Sequence, residues 1–153
     1  MPTSRTRSGT PPLPSREAAS VRVMLAEDDT EMRNLLVAVL KRDGHELVEA
    51  RSGSHLLDLL GTQLLHARDR PAADLIITDI RMPGASGLDV VAGLRHAGWA
   101  TPVIFITAFG DAATHAQALR LGAKVVFDKP FDLDDLRMAV QWVAMDGAGQ
   151  RPA

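Results

Sequence analysis

The chain of 153 residues contains no cysteine, which excludes disulfides and thiolate metal sites and is compatible with a reducing cytoplasm. It lacks an apolar run near the roughly 20 residues of a membrane-spanning helix, and its N-terminus lacks the apolar core of a secretory signal. Its net charge of −2 provides no basic field, so we expect no direct nucleic-acid binding. We therefore expect a cytoplasmic protein without membrane insertion.

The composition indicates one globular domain between two tails. The hydrophobic fraction of 46% and the charged fraction of 24% are those of an ordinary soluble domain. Residues 1–20 are rich in Pro, Ser and Arg and poor in large apolar side chains, so we expect a disordered tail. The folded domain is predicted at 21–145, and a flexible C-terminal tail at 146–153.

Within the domain, apolar runs alternate five times with stretches of helical periodicity. The strands are predicted at about 21–26, 45–49, 74–79, 102–107 and 124–128. The helices are predicted at about 30–42, 53–67, 86–97, 111–121 and 132–145. This alternation indicates right-handed βαβ units and an α/β fold, a doubly wound five-stranded parallel sheet with helices on both faces. The second strand alternates polar and apolar residues less cleanly, so we expect it at an edge.

Local signals support the helices. In the first helix the apolar residues at helical spacing are Met32, Leu35, Leu36, Val39 and Leu40. Gly44 is predicted to end that helix, and Asp111 and Asp132 are predicted N-caps of the last two.

Four predicted strands lead into polar side chains that suit phosphoryl transfer. Glu27 and Asp28 follow the first strand, Asp79 ends the third, Thr107 ends the fourth and Lys129 follows the fifth. Clustered carboxylates bind Mg²⁺, and a carboxylate can act as a nucleophile that forms an acyl phosphate. A lysine amine and a threonine hydroxyl can contact phosphoryl oxygens.

Each of these residues has an ordinary structural interpretation when it is taken alone. A strand-terminal Asp favours turns and helix caps, a threonine suits a strand, and a lysine is usually a solvated surface charge. All of them fall at the carboxyl ends of apolar runs, which is the edge where ligands bind in open α/β sheets. The combination therefore favours one phosphoryl-transfer site.

The motifs Glu27-Asp28, Asp79, Thr107-Ala108 and Lys129-Pro130-Phe131 resemble those of receiver domains of bacterial two-component response regulators, over residues 21–145. The resemblance implies a flavodoxin-like sheet in the order 2-1-3-4-5. It also implies a signalling phosphoacceptor rather than an enzyme. A histidine kinase or a histidine phosphotransfer protein is the implied phosphodonor.

The resemblance also assigns roles to individual residues. Asp79 is implied as the phosphoacceptor, and Mg²⁺ as a cofactor bound by Asp79, by Asp28, by Glu27 through a water and by the backbone carbonyl of Arg81. Thr107 and Lys129 are implied to contact the phosphoryl group. The Lys129–Pro130 bond is implied to be cis.

Two positions depart from the commonest pattern of that family. Val126 lies where a switch aromatic usually stands, three residues before the lysine, and Phe127 should face the opposite side of the sheet. The usual coupling of the hydroxyl to that aromatic therefore cannot operate in its standard form. Arg81 lies two residues past the phosphoacceptor, where its side chain is expected to modulate the lifetime of the acyl phosphate.

The fifth helix carries two apolar stripes. Leu133, Leu136, Val140 and Val143 are predicted to pack on the sheet. Met138, Trp142 and Met145 point to nearly the opposite side, as interface residues do. The resemblance implies a homodimer or partner surface formed by the fourth helix, fifth strand and fifth helix; alternatively, Trp142 only covers neighbouring surface.

Other functions have weaker support in the sequence. Phosphatases of the haloacid dehalogenase type carry a second acid two residues after the nucleophile, where this chain has Arg81. A degenerate receiver that acts as a binding scaffold is a second alternative, and a flavodoxin-like nucleotide-binding protein lacks support because no glycine-rich loop follows the first strand.

The five histidines show no metal-binding spacing and are expected on the surface or in helices, and Arg33 is expected to be a solvated charge. Signal output is expected from protein contacts, a phosphorelay step or a domain outside this sequence.

Overall fold

The computed structural model describes residues 20–66, 73–108 and 110–150. The strands are β1 Arg22–Ala26, β2 Glu46–Ala50, β3 Leu75–Asp79, β4 Val103–Thr107 and β5 Val125–Asp128. The helices are α1 Thr30–Arg42, α2 Gly53–His66, α3 Gly87–His96, α4 Ala112–Arg120 and α5 Leu133–Gln150. The predicted bounds lie within one residue of these, except that α5 continues through Gln150 into the segment predicted as a tail. The predicted N-terminal tail, apart from Ser20, lies outside the described residues.

The five strands form one parallel sheet in the order β2-β1-β3-β4-β5, which confirms the predicted fold class. β3 and β4 are buried along their whole length, because helices cover both faces of the central strands. β2 is confirmed as an edge strand and is only partly buried. All strands therefore point their carboxyl ends to the same edge of the sheet.

Alternate residues of the strands enter two separate cores, as the period of two requires. Met24, Ile76 and Phe105 pack with residues of α2, α3 and α4 on one face. Leu25, Ile77 and Ile104 pack with residues of α1 and α5 on the other.

Val126 and Phe127 enter opposite cores, as predicted. Phe127 lies 5.5 Å from Phe131, centroid to centroid, on the side of α1 and α5. Val126 therefore packs against the core under α2, α3 and α4, at the position where the family usually carries the switch aromatic.

The apolar stripe of α1 differs from the predicted one. Its buried residues are Arg33, Leu36, Val37 and Leu40. Leu35, predicted to be in the stripe, is 45% exposed. The helix is thus rotated by part of a turn, so that an arginine shares the face that packs on the sheet.

The α5 stripe is confirmed, since Leu136, Val140 and Val143 are buried and Leu133 packs against the same core. Asp111 is confirmed as the N-cap of α4, because its side chain accepts from Thr114 N. Asp132 directly precedes α5, and its carboxylate accepts from Asp134 N at 2.8 Å.

His45 contradicts the expectation that the histidines lie on the surface or in helices. It lies between α1 and β2 and is buried, and its Nδ1 accepts a hydrogen bond from Val21 N at 3.2 Å. Its Nε2 is buried without a hydrogen-bond partner. Burial lowers the pKa of His45, and the charge of Asp43 opposes this effect more weakly.

Candidate functional site

Three carboxylates meet at the carboxyl edge of the sheet. Glu27 follows β1 directly, Asp28 is the next residue, and Asp79 ends β3. One ligand oxygen from each lies within 4.8 Å of the others. Glu27 and Asp79 are buried, whereas Asp28 is exposed, so the cluster opens to solvent on one side. Neighbouring parallel strands that end at the same edge bring these residues together.

Lys129 supplies the positive charge at this edge. Its Nζ donates to Asp79 Oδ2 at 2.7 Å and to Glu27 Oε1 at 2.8 Å. Its backbone N–H donates to the carbonyl of Thr107 at 2.8 Å, which anchors the lysine at the end of β4. Burial alone lowers the pKa of Lys129, but the hydrogen bonds and charges of Asp79 and Glu27 outweigh burial and raise it. The amine is therefore held as a cation between two carboxylates.

One lysine does not neutralise the three carboxylates. Burial raises the pKa of Glu27, and the charge of Asp79 adds to this effect, while hydrogen bonds from Lys129 and Asp29 oppose it. A raised carboxyl pKa means that the environment disfavours its anion. Oxygen donors carrying excess negative charge, with one carboxylate open to solvent, suit a hard divalent cation such as Mg²⁺.

The segment after Asp79 is held close to the carboxylate. Arg81 N–H donates to Asp79 Oδ1 at 3.1 Å, which occupies the oxygen that Lys129 does not bind. A side chain on Gly87 would overlap the backbone carbonyl of Asp79, so only glycine permits α3 to begin this close to the site. Thr78 Oγ1 also donates to the Asp79 carbonyl, at 2.9 Å. The phosphoacceptor candidate is thus fixed through both its side chain and its backbone.

Arg33 is not the solvated charge that was expected, because its residue is only 7% exposed. Its NH1 donates to the backbone carbonyl of Glu27 at 2.7 Å, and its Nε lies 3.5 Å from Glu49 Oε1. Arg33 precedes Leu36, Val37 and Leu40 by three, four and seven residues, so helical spacing places it on the buried face. It secures the start of the loop that carries Glu27 and Asp28.

Thr107 and Arg81 lie at the carboxyl edge of the sheet, and the roles that the resemblance implies for them stay predictions. Thr107 is buried at the end of β4 and pairs with Asp128 in the strand register. Contact of its hydroxyl with a phosphoryl group, and binding of Mg²⁺ by the Arg81 carbonyl, stay predictions. The Lys129–Pro130 peptide bond is cis, as expected.

Sequence reasoning missed one contact near the site. His115 of α4 lies 2.9 Å from Asp128 of β5, measured from Nε2 to Oδ1. The two residues are 13 positions apart and belong to different elements, so no helical or strand spacing indicates that they meet.

In the part of the chain that the structure describes, no helix has the length and apolarity needed to cross a membrane.

Comparisons with known proteins agree with this geometry. The family model of the response regulator receiver domain matches residues 23–141. Sporulation initiation phosphotransferase F of Bacillus subtilis is 29% identical over 78% of this chain and 90% of its own length. Response regulator protein PmrA of Pseudomonas aeruginosa is 35% identical over 79% of this chain but only 51% of its own length.

A solved structure gives the same result. The N-terminal domain of an uncharacterized protein from Wolinella succinogenes superposes with a TM-score of 0.75 at 28% identity, over 86% of this chain and 99% of that one. The family model covers most of the described fold, and the observed strand order agrees with it. This chain belongs to the response regulator receiver domain family.

Proposed function

We propose that this chain is a phosphoacceptor module of a two-component or phosphorelay system, phosphorylated on Asp79. The supporting observation is the contact of the Asp79 carboxylate with Lys129 inside a cluster of three carboxylates. A histidine kinase or a histidine phosphotransfer protein is the proposed donor, and the proposed location is the cytoplasm.

The proposed step is a displacement at phosphorus. A carboxylate oxygen of Asp79 attacks and forms an O–P bond, while the P–N bond of the donor phosphohistidine breaks and its electron pair returns to the imidazole. Lys129 would neutralise charge on the phosphoryl oxygens, and Thr107 would donate a hydrogen bond to another of them. Such transfer depends mainly on positioning and charge stabilisation, which a rigid sheet edge provides.

Glu27, Asp28 and Asp79 are the side chains that would hold Mg²⁺. When bound, Mg²⁺ would neutralise negative charge at the phosphoryl group. Arg33 holds the Glu27 carbonyl, and Lys129 separates Glu27 from Asp79, so these two residues order the ligands.

The direct test is intact mass after incubation with acetyl phosphate, with and without Mg²⁺, for the wild type and Asp79→Asn. We expect a phosphate-sized gain that requires Mg²⁺ and is absent in the variant. A wild type that gains no mass with acetyl phosphate or with a kinase extract would indicate a degenerate receiver used as a binding scaffold.

The exposed side of α5 is proposed as the surface through which the signal leaves. Met138, Trp142 and Met145 are each more than half exposed, and large apolar side chains of this kind favour protein contacts. Trp142→Glu should reduce homodimerisation or partner binding at least tenfold, because it places a charge in an apolar contact. Sedimentation of the phosphorylated protein measures self-association, and Leu57→Glu is the matched control, since Leu57 is also exposed but lies on α2. Equal behaviour of the two variants would contradict this proposal.

A further inference from the structure

His115 and Asp128 form a polar contact next to the site. It joins the first half of α4 to the last residue of β5, and Asp128 directly precedes Lys129. Gly110, in the loop between β4 and α4, lies against both partners. A methyl group at Gly110 would overlap Asp128 Oδ1 and the ring of His115. The three residues thus form a tight contact one residue from the amine that binds Asp79.

This contact acts on the least supported end of the sheet. β5 is an edge strand of four residues and pairs only with β4. The end of β5 is held by Lys129 N–H on the Thr107 carbonyl and by the His115–Asp128 pair. A shift in the backbone at Asp128 moves Lys129 with it, because adjacent residues share a planar peptide unit.

The apolar side chains at this end of β5 are only partly buried. The side chain at 126 is a valine, so it fills less space between the sheet and the helices than an aromatic ring would. The polar contact of His115 with Asp128 is an additional link between α4 and the end of β5.

We propose that His115 and Asp128 are positioning residues, which hold the end of β5 so that the amine of Lys129 reaches Asp79 and Glu27. The proposal rests on the proposed function, since it concerns the rate at which Asp79 is phosphorylated. The pair is only partly buried, with side-chain exposures of 33% and 53%, and pairs of this kind add little to overall stability. Its effect is therefore on the geometry of Lys129.

Three substitutions break the pair in different ways. His115→Gln and Asp128→Asn each replace one partner of the contact. Gly110→Ala keeps both partners but pushes them apart, and because it displaces the ends of flexible side chains the fold should persist. We expect each variant to be phosphorylated about fivefold more slowly by acetyl phosphate at fixed Mg²⁺, the scale that a partly exposed pair can support. His115→Lys, which keeps a nitrogen donor near Asp128, should restore most of the rate.

An ion pair between β1 and β2 provides the control. Arg22 Nε lies 3.0 Å from Glu46 Oε1, with side-chain exposures of 31% and 65%, and joins β1 to β2 at the opposite edge. Arg22→Gln therefore removes a pair of similar length and exposure without touching the site. Its initial rate should equal that of the wild type.

A double-mutant cycle with Lys129→Met distinguishes positioning from a general structural role. If the pair acts through the lysine, His115→Gln should have no further effect on the slow residual rate of Lys129→Met. An additional fivefold loss in that background, or a His115→Gln rate equal to that of Arg22→Gln, would overturn the proposal. A wild type that takes up no phosphate overturns the proposed function itself, and this inference with it.

Discussion

The two edges of the sheet differ in how their buried polar side chains are paired. At the amino edge, His45 accepts from the backbone of Val21, and Asp74 accepts from the backbone N–H of Arg22 at 2.9 Å. At the carboxyl edge, charged side chains also contact each other, with Lys129 between Glu27 and Asp79.

The difference shows where the fold contains unfavourable electrostatic interactions. A buried hydrogen bond to the backbone stabilises locally, whereas buried like charges disfavour one another. We infer that the amino edge serves stability and the carboxyl edge serves chemistry. Four predictions test this division, and they follow in order of expected effect.

The largest effect on stability is expected for Lys129→Met. It leaves Glu27 and Asp79 buried without their cation, and breaking such a pair costs about 3 kcal/mol. Urea unfolding without Mg²⁺ measures the loss, and added Mg²⁺ should recover more stability in this variant than in the wild type. Lys124→Met, at an exposed position before β5, is the control. A loss no larger than the control's would show that the carboxylates are not held by Lys129.

Arg33→Met should cost about 2 kcal/mol, because it leaves the buried carbonyl of Glu27 without its donor. It should also weaken Mg²⁺ binding, since the loop that carries two of the proposed ligands loses its support. Calorimetric titration with Mg²⁺ measures this change. Glu49→Gln removes only the longer contact of Arg33, at 3.5 Å to an exposed carboxylate, and should have a much smaller effect on both quantities.

Asp28→Ala and Asp74→Ala should change stability in opposite directions. In the absence of Mg²⁺, Asp28→Ala removes one of three clustered negative charges and should stabilise by about 0.5 kcal/mol. Asp74→Ala removes the acceptor of a partly buried N–H and should destabilise by about 1 kcal/mol. Equilibrium unfolding of both variants in one buffer decides the matter, and changes of the same sign would contradict the comparison of the two edges.

The smallest effect concerns pH at His45. Burial holds the pKa of His45 in the folded protein below the ordinary histidine value of 6.5. Between these two pKa values the unfolded chain binds more protons, so this group makes stability fall as the pH drops below 6.5. His45→Gln should flatten that part of the profile of unfolding free energy against pH. Parallel profiles for the wild type and His45→Gln would contradict the prediction that His45 contributes to the pH dependence of stability.

The sequence predicted the fold closely for a physical reason. Four of the five strands are short, mainly apolar runs that end in or lead into a polar residue, with β2 as the exception. Each helix has its own periodicity or cap, so local signals marked nearly all bounds. The end of α5 was less well marked, because Asp146 and Gly147 read as the start of a tail although the helix continues to Gln150.

The positions of the acidic and basic site residues followed from strand ends, but their contacts did not. Arg33 was wrongly expected in solvent because its charge was weighed above its helical spacing, which places it with Leu36 and Leu40. His45 was also wrongly placed, since its burial depends on how the start of β1 packs against it. Such contacts between distant segments exist only in the folded chain.

The bond between Lys129 and Glu27 has a consequence for biosynthesis. It joins residues 102 positions apart, and closing so long a loop comes late, after local units have formed. A nascent chain that has completed β1 to β4 already displays Asp79 but has no amine beside it. On the proposed function, full reactivity toward a phosphodonor would then appear only once β5 has joined the sheet, so that the rate of phosphorylation reports this step of folding.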